Sequence, residues 1–119
     1  MEYMILNHTE ETEDGPAPGS PEFGAMMGRW MAYNQMLIDG GHWISGASLT
    51  PTAAATTLRK SGGQSTVVDG PHAETKEQIG GYYLIEAKDL DEALELAGQM
   101  PVEEGSLEVR PIAFRPDAQ

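Results

Sequence analysis

The sequence contains no cysteine and few basic residues, and both shortages exclude classes of protein. Without cysteine, the 119-residue chain has no disulfide framework, no thiolate metal site and no cysteine nucleophile. Only 7 Lys and Arg stand against 19 Asp and Glu, which gives a formal net charge of −12. Nucleic-acid binding depends on clustered Lys and Arg at the phosphates, so this balance predicts no nucleic-acid partner.

Long apolar runs are also missing. The longest cover a handful of residues, far short of the roughly 20 that a membrane span needs. The first seven residues carry no Lys or Arg ahead of their apolar run, which is unlike a secretory signal peptide. The sequence therefore predicts a soluble, acidic, cytoplasmic protein with no membrane partner, folded as a single domain over residues 1–119.

Alternating apolar and polar residues predict four separate strands and a hairpin. The strands cover residues 1–8, 42–49, 81–88 and 107–114, and the hairpin pairs 56–60 with 66–69 around a Ser-Gly-Gly turn. A β-bulge is expected at Gly46. Residues 9–19 are acidic and then rich in Pro and Gly, which predicts a solvated loop that includes Glu10, Glu11, Glu13 and Asp14.

Two amphipathic helices are expected between these strands. The first begins at Ser20-Pro21 and ends at Gly40-Gly41, and the second runs from Leu90 to Met100, with Asp89 and Glu92 at capping-box spacing. The resulting order is a ferredoxin-like α+β plan, βαββαβ with an inserted β-hairpin. Two helices cover only one face of such a sheet, so a second copy of the chain is expected to cover the other face.

The chemically densest stretch is Asp69–Gly81, which reads DGPHAETKEQIGG. Charged groups crowded on one loop shift one another's pKa values, as acid–base catalysis requires. The alternative is a solvated connection whose ion pairs contribute under about 1 kcal/mol. As a catalytic site, the stretch would use Asp69, Glu74 and Glu77 as acid or base. Lys76 would stabilise negative charge, and His72 or His8 would assist. Tyr82 or Tyr83 would lie beneath as ligand contacts.

The candidates outside this stretch are isolated. Arg29 and Arg110 are two of the seven cationic residues, and each is either an ion-pair partner or a handle for an anionic ligand. The three histidines are far apart in sequence, so no metal site is predicted. No phosphate-binding loop or established catalytic motif is present, and no cofactor is predicted.

The stretch Asp69–Gly81 resembles the DGPF-type branch of the YciI-related bacterial proteins. That branch reads D-G-P-F-x-E-T-K-E-x-x-G-G-[FY] and later E-V-R-P, and this chain carries DGPHAETKEQIGGY and EVRP. The likeness extends to EYMILNH and TPTAAATTLR and so covers essentially the whole chain. It implies a ferredoxin-like protomer, a homodimer whose sheets pack together as a dimeric α/β barrel, and gene neighbourhoods that include extracytoplasmic-function sigma factors.

The chain departs from the family pattern at two places. His72 replaces the Phe of the signature, which is either a tolerated surface change or an added proton acceptor beside Asp69. The YciI proteins proper are proposed to use a His on the first helix and an Asp before the Pro that ends the second. These positions fall at Arg29 or Trp30 and at Met100, so that pair is missing.

Three hypotheses follow from the residues and the resemblance. The chain is a module that binds a small-molecule ligand or a protein partner in a sigma-factor pathway, or it is a cofactor-independent hydrolase, lyase or isomerase that uses the loop carboxylates. In the third, the loop is structural, and Glu74, Lys76 and Glu77 pair across a dimer.

Overall fold

The computed structural model describes residues 1–12 and 15–116, and the loop expectations for Glu13 and Asp14 concern residues outside these ranges. The strands are β1 (Glu2–Glu10), β2 (Trp43–Ser48), β3 (Thr56–Ser61), β4 (Gln64–Asp69), β5 (Glu77–Glu86) and β6 (Ser106–Pro111). The helices are α1 (Pro21–Asp39) and α2 (Leu90–Gly98), and a short 3₁₀ turn covers Thr52–Ala54. No helix among the described residues is both long and apolar enough to cross a membrane.

Four strands form one antiparallel sheet in the order β2-β5-β1-β6, while β3 and β4 form a separate hairpin. Each helix follows a strand of the main sheet and returns the chain to a position beyond its antiparallel neighbour. This arrangement confirms the ferredoxin-like α+β fold with an inserted hairpin. The hairpin is exposed along nearly its whole length.

Strand alternation separates the two faces of the main sheet. On β1, Tyr3 and Ile5 are buried in a core with Tyr33 and Leu37 of α1 and with residues of α2. The intervening side chains point away from the helices. We call that side the open face, and it carries Met4, Leu6 and His8 on β1 together with the register partners Leu84, Tyr82 and Ile79 on β5.

Both helices begin at a capping side chain, and a glycine follows the end of α1. Ser20 Oγ accepts a hydrogen bond from Phe23 N at 3.1 Å, and Gly41 takes a φ of 75° just after α1. Asp89 Oδ1 accepts from Glu92 N at 2.9 Å at the start of α2. The Glu92 side chain accepts from Lys88 N at 3.0 Å, one residue before the donor that a capping box uses.

The structure corrects several predicted boundaries around β1 and β5. Thr9 and Glu10 belong to β1 rather than to the acidic loop, because they pair with Gln78 and Glu77. In turn, β5 begins at Glu77, four residues before the predicted start at Gly81. Pairing between β1 and β5 therefore makes these polar residues part of the strands, although their local sequence favours a turn.

The remaining corrections are smaller. The irregularity of β2 lies between Trp43 and Ser45 and not at Gly46. Helix α2 ends at Gly98 instead of Met100, and β6 ends at Pro111 instead of Phe114. Pro111 lacks an N–H donor, which suits a position at the end of an edge strand.

Candidate functional site

The helix side of the sheet contains a pocket of about 510 Å³ between α1 and strands β2 and β5. We call it the helix-side pocket. Its floor comes from the sheet and its lid from α1 and the segment after α2. The lining residues are Asn7, Thr9, Met26, Met27, Trp30, Asn34, Trp43, Gly46, Ala47, Ser48, Gly80, Gly81, Tyr83 and Met100.

Aromatic rings build one wall of this pocket. The Tyr83 ring lies 5.6 Å from Trp43 in an edge-on arrangement and 6.2 Å from Trp30 in a tilted one, measured between ring centroids. Tyr33 lies behind them, 5.5 Å from Tyr83. Such contacts add to the burial energy and hold the rings in fixed orientations, so the wall is preformed.

The polar groups of the pocket are few and neutral. Tyr83 donates its hydroxyl proton to Asn34 Oδ1, and burial raises the pKa of the Tyr83 hydroxyl above its ordinary value. Asn7 Oδ1 is a buried oxygen that has no hydrogen-bond partner among the described residues. The lining contains no Asp, Glu, His, Lys or Arg from the described part of the chain. This chemistry can hold and orient a molecule, but it provides no acid or base that works near neutral pH.

Gly81 allows β2 and β5 to approach each other at the edge of the pocket. A Cβ atom at Gly81 would lie 2.8 Å from the backbone oxygen of Ala47, closer than real side chains come. Glycine is therefore required for the observed spacing of the two strands. The Gly80-Gly81 pair lies within β5 and forms part of the pocket lining.

The charged groups of Asp69–Gly81 lie mostly in solvent. Asp69 ends β4, Glu74 lies on the exposed connection, and Lys76 is 80 % exposed with its Nζ 3.9 Å from Glu10 Oε2. Glu77 begins β5 and faces Glu10 across the strand pair. Asp69, Glu74 and Lys76 do not line the helix-side pocket.

Hydrogen bonds to the backbone hold this connection in shape. Thr57 Oγ1 donates to Gly70 O at 2.6 Å, Arg59 Nη2 donates to His72 O at 3.2 Å, and Gln78 Nε2 donates to Ala73 O at 2.8 Å. These bonds tie the connection to the hairpin and to β5. The backbone oxygens of the connection are therefore held by side chains of β3 and β5.

A second cluster of titratable groups lies on the open face. His8 Nε2 is 3.0 Å from Glu108 Oε1, and Arg110 Nε donates to Glu108 Oε2 at 2.6 Å. The hydrogen bonds from Arg110 and from His8 lower the pKa of the Glu108 carboxyl. Because an ionised carboxylate only accepts, His8 Nε2 is the donor. Glu108 thereby orients the His8 ring.

His8 also lines a second pocket, of about 340 Å³, at the base of the hairpin. We call it the open-face pocket. His72 and Glu77 contribute to its lining, together with Thr52 and Thr75. The structure therefore brings three of the predicted catalytic residues to one pocket.

The predicted ligand contacts are scattered. Tyr82 lies on the open face, whereas Tyr83 belongs to the helix-side pocket. Arg29 is exposed on α1, and the 70 % exposed Arg110 is bound to Glu108. These four residues do not form a single site.

Comparison with known proteins places the chain in a family. A profile of the YCII-related domain matches residues 1–114. A protein of Rhizobium meliloti (strain 1021), named only as uncharacterized, is 40 % identical over 117 residues, which cover 96 % of this chain and 94 % of that protein. The chain belongs to the YCII-related domain family.

Within the YCII-related frame, the missing His and Asp are informative. The family's His position on the first helix falls at Arg29 or Trp30, and its Asp position falls at Met100. Of these residues, Trp30 and Met100 line the helix-side pocket. The pocket thus occupies the place where the resemblance puts an ionisable pair, but its described lining carries no charged side chain. Sequence reasoning missed Asn7 and Glu108. The available signals were a polar residue at 7 in the core-facing series of β1, and the two-residue spacing of Glu108 and Arg110 on one strand face.

Proposed function

We propose that the chain is a small-molecule-binding module whose ligand occupies the helix-side pocket. The observation that carries this proposal is an aromatic, preformed wall in a cavity of about 510 Å³ whose described lining includes no catalytic acid or base. Met26, Met27 and Met100 add flexible apolar surface that adapts to a ligand.

A thermal-shift screen of the purified chain against small molecules tests this function, since a ligand that binds the native state raises the unfolding temperature. The screen is repeated with Ser48→Phe, which places a ring in the pocket lining, and with Ser65→Phe on the exposed strand β4 as the matched control. We expect ligands that stabilise the natural chain and the control but not Ser48→Phe. Equal stabilisation of all three would place binding elsewhere and contradict the proposal.

We further propose that the module acts as a homodimer in the cytoplasm, within a regulatory pathway that includes a sigma factor. The open face, which carries no helix, supports the dimer, and the family resemblance supports both the dimer and the sigma-factor link. Light scattering tests the first point. Deletion of the gene, followed by measurement of sigma-dependent transcripts, tests the second; unchanged transcripts would contradict it.

A second candidate function is enzymatic and belongs to the open-face pocket. The favouring observation is the His8 ring, oriented by Glu108 at the lip of a cavity that also contains Glu77 and His72. A histidine held by a carboxylate is an arrangement suited to a general base. Asp69, Glu74 and Lys76 would contribute charge from the surrounding connection.

Hydrolysis of a panel of activated esters tests this alternative. Turnover that is lost in His8→Gln and Glu108→Gln but retained in His42→Gln supports it, because His42 binds the backbone oxygen of Glu86 away from the cavity. Turnover that survives His8→Gln argues against it.

A further inference from the structure

The walls of the helix-side pocket discriminate against charge. A charged ligand would lose hydration on entry, and the described lining offers it no counter-ion. The net charge of −12 opposes anions further at long range. Flat apolar molecules, in contrast, can stack on Trp30, Trp43 and Tyr83, whose rings are already held in place.

Asn7 adds one specific polar requirement. Its side chain lines the pocket, yet its buried Oδ1 lacks a partner among the described residues. An unsatisfied buried acceptor is costly, and a donor that reaches it recovers that cost. The terminal torsion of an asparagine is broad, so rotation of the carboxamide turns the oxygen toward a bound molecule without moving the strand.

Resting on the proposed function, we infer that the ligand is a neutral aromatic molecule with a hydroxyl or amide donor. Its ring stacks in the wall of Trp30, Trp43 and Tyr83, and its donor binds Asn7 Oδ1. The neighbouring Asn34 oxygen already accepts from Tyr83, whereas Asn7 Oδ1 is buried without a partner among the described residues, so a ligand donor gains most at Asn7.

Tryptophan fluorescence of the natural chain reports on this site directly. The sequence contains 2 Trp, at positions 30 and 43, and both line the pocket. The probes are 4-ethylphenol, ethylbenzene, 4-ethylbenzoate and 4-ethylbenzylammonium, which share one ring and differ in the polar group. With excitation at the red edge of tryptophan absorption, where these probes absorb little, each gives a titration curve.

We expect 4-ethylphenol to bind about fivefold more tightly than ethylbenzene, the ratio that one net hydrogen bond of about 1 kcal/mol produces. Both charged probes should bind at least about tenfold more weakly than the phenol, because their charge is desolvated without a partner. In Asn7→Leu, of similar size, the preference for phenol over ethylbenzene should disappear. That variant should unfold at an equal or higher temperature, since it removes an unsatisfied polar group.

The outcomes distinguish failure of the proposed ligand class from failure of ligand binding in the helix-side pocket. Equal binding of phenol and ethylbenzene by the natural chain, or tighter binding of either charged probe than of the phenol, overturns the ligand class but leaves a binding pocket. Retention of the phenol preference in Asn7→Leu removes Asn7 from recognition. Failure of all four probes to change the fluorescence up to their solubility overturns the pocket's binding function itself.

Discussion

At the scale of single residues, the clearest electrostatic feature is the half-exposed carboxylate of Glu108 between Arg110 and His8. Both donors favour the ionised form, Arg110 more strongly, so the folded state holds the Glu108 proton less tightly than the unfolded chain does. The stabilisation is therefore complete above the ordinary carboxyl pKa. It is lost as the pH falls through the lowered pKa of the folded state.

We predict that Glu108→Gln makes the stability of the chain less sensitive to acid. Urea unfolding from neutral pH down to about pH 3 should show a shallower loss of unfolding free energy in the variant than in the natural chain. The expected difference is small, because the Arg110 side chain is largely exposed and solvent screens the pair. Glu104→Gln, on the exposed connection before β6, is the matched control and should follow the natural profile. Parallel profiles for all three proteins would contradict this linkage.

At the scale of elements, the spacing between β2 and β5 depends on Gly81, the residue that faces Asn7 across β1 and β5. The two strands meet where a Cβ atom would touch a backbone oxygen, which cannot rotate away. A methyl group there must displace a strand. Such crowding in a packed region typically costs about 1–3 kcal/mol.

We predict that Gly81→Ala lowers the free energy of unfolding by about 1–3 kcal/mol and weakens ligand binding in the helix-side pocket. Gly98→Ala is the control, since nothing lies within 4 Å of its Cβ position at the end of α2. Alanine favours the helix over glycine by up to about 1 kcal/mol, so this control should be neutral or stabilising. Chemical denaturation of both variants provides the measurement. A Gly81→Ala chain as stable as the natural one would mean that the strands separate at no cost.

The elements also show where sequence reasoning succeeds and where it fails. The caps at Ser20 and Asp89 and the alternation of β1 are local signals, and they located both helices and the core-facing residues. The start of β5 is not local, because Glu77 and Gln78 become strand by pairing with the end of β1. For the same reason, the sequence identifies His8 and Arg110 as candidates but does not predict that both bind Glu108. That contact depends on the register between β1 and β6.

At the scale of the whole molecule, both helices lie on one face of the sheet, and the open face carries no helix. Leu6 and Tyr82 lie opposite each other there, and Ile79 is 41 % exposed at the same face. Apolar residues grouped on one sheet face favour burial against another surface. The proposed second copy provides that surface by symmetry, since the same patch can pair with itself around a twofold axis.

We predict that the natural chain is a dimer and that Ile79→Lys weakens its association by about 30-fold or more. The lysine would place an unpaired charge in the interface, at a cost of about 2 kcal/mol or more. Glu77, two residues away on the same strand face, offers the lysine a partner in the separated protomer, so the variant should remain folded.

Ile38→Lys is the matched control: this residue is 51 % exposed in the last turn of α1, where the helix dipole favours a cation. Sedimentation equilibrium should show weakened dimers for Ile79→Lys alone. Equal weakening by both substitutions would indicate a general charge effect, and a natural chain that sediments as a monomer would refute the dimer, leaving the open face to a partner of another kind.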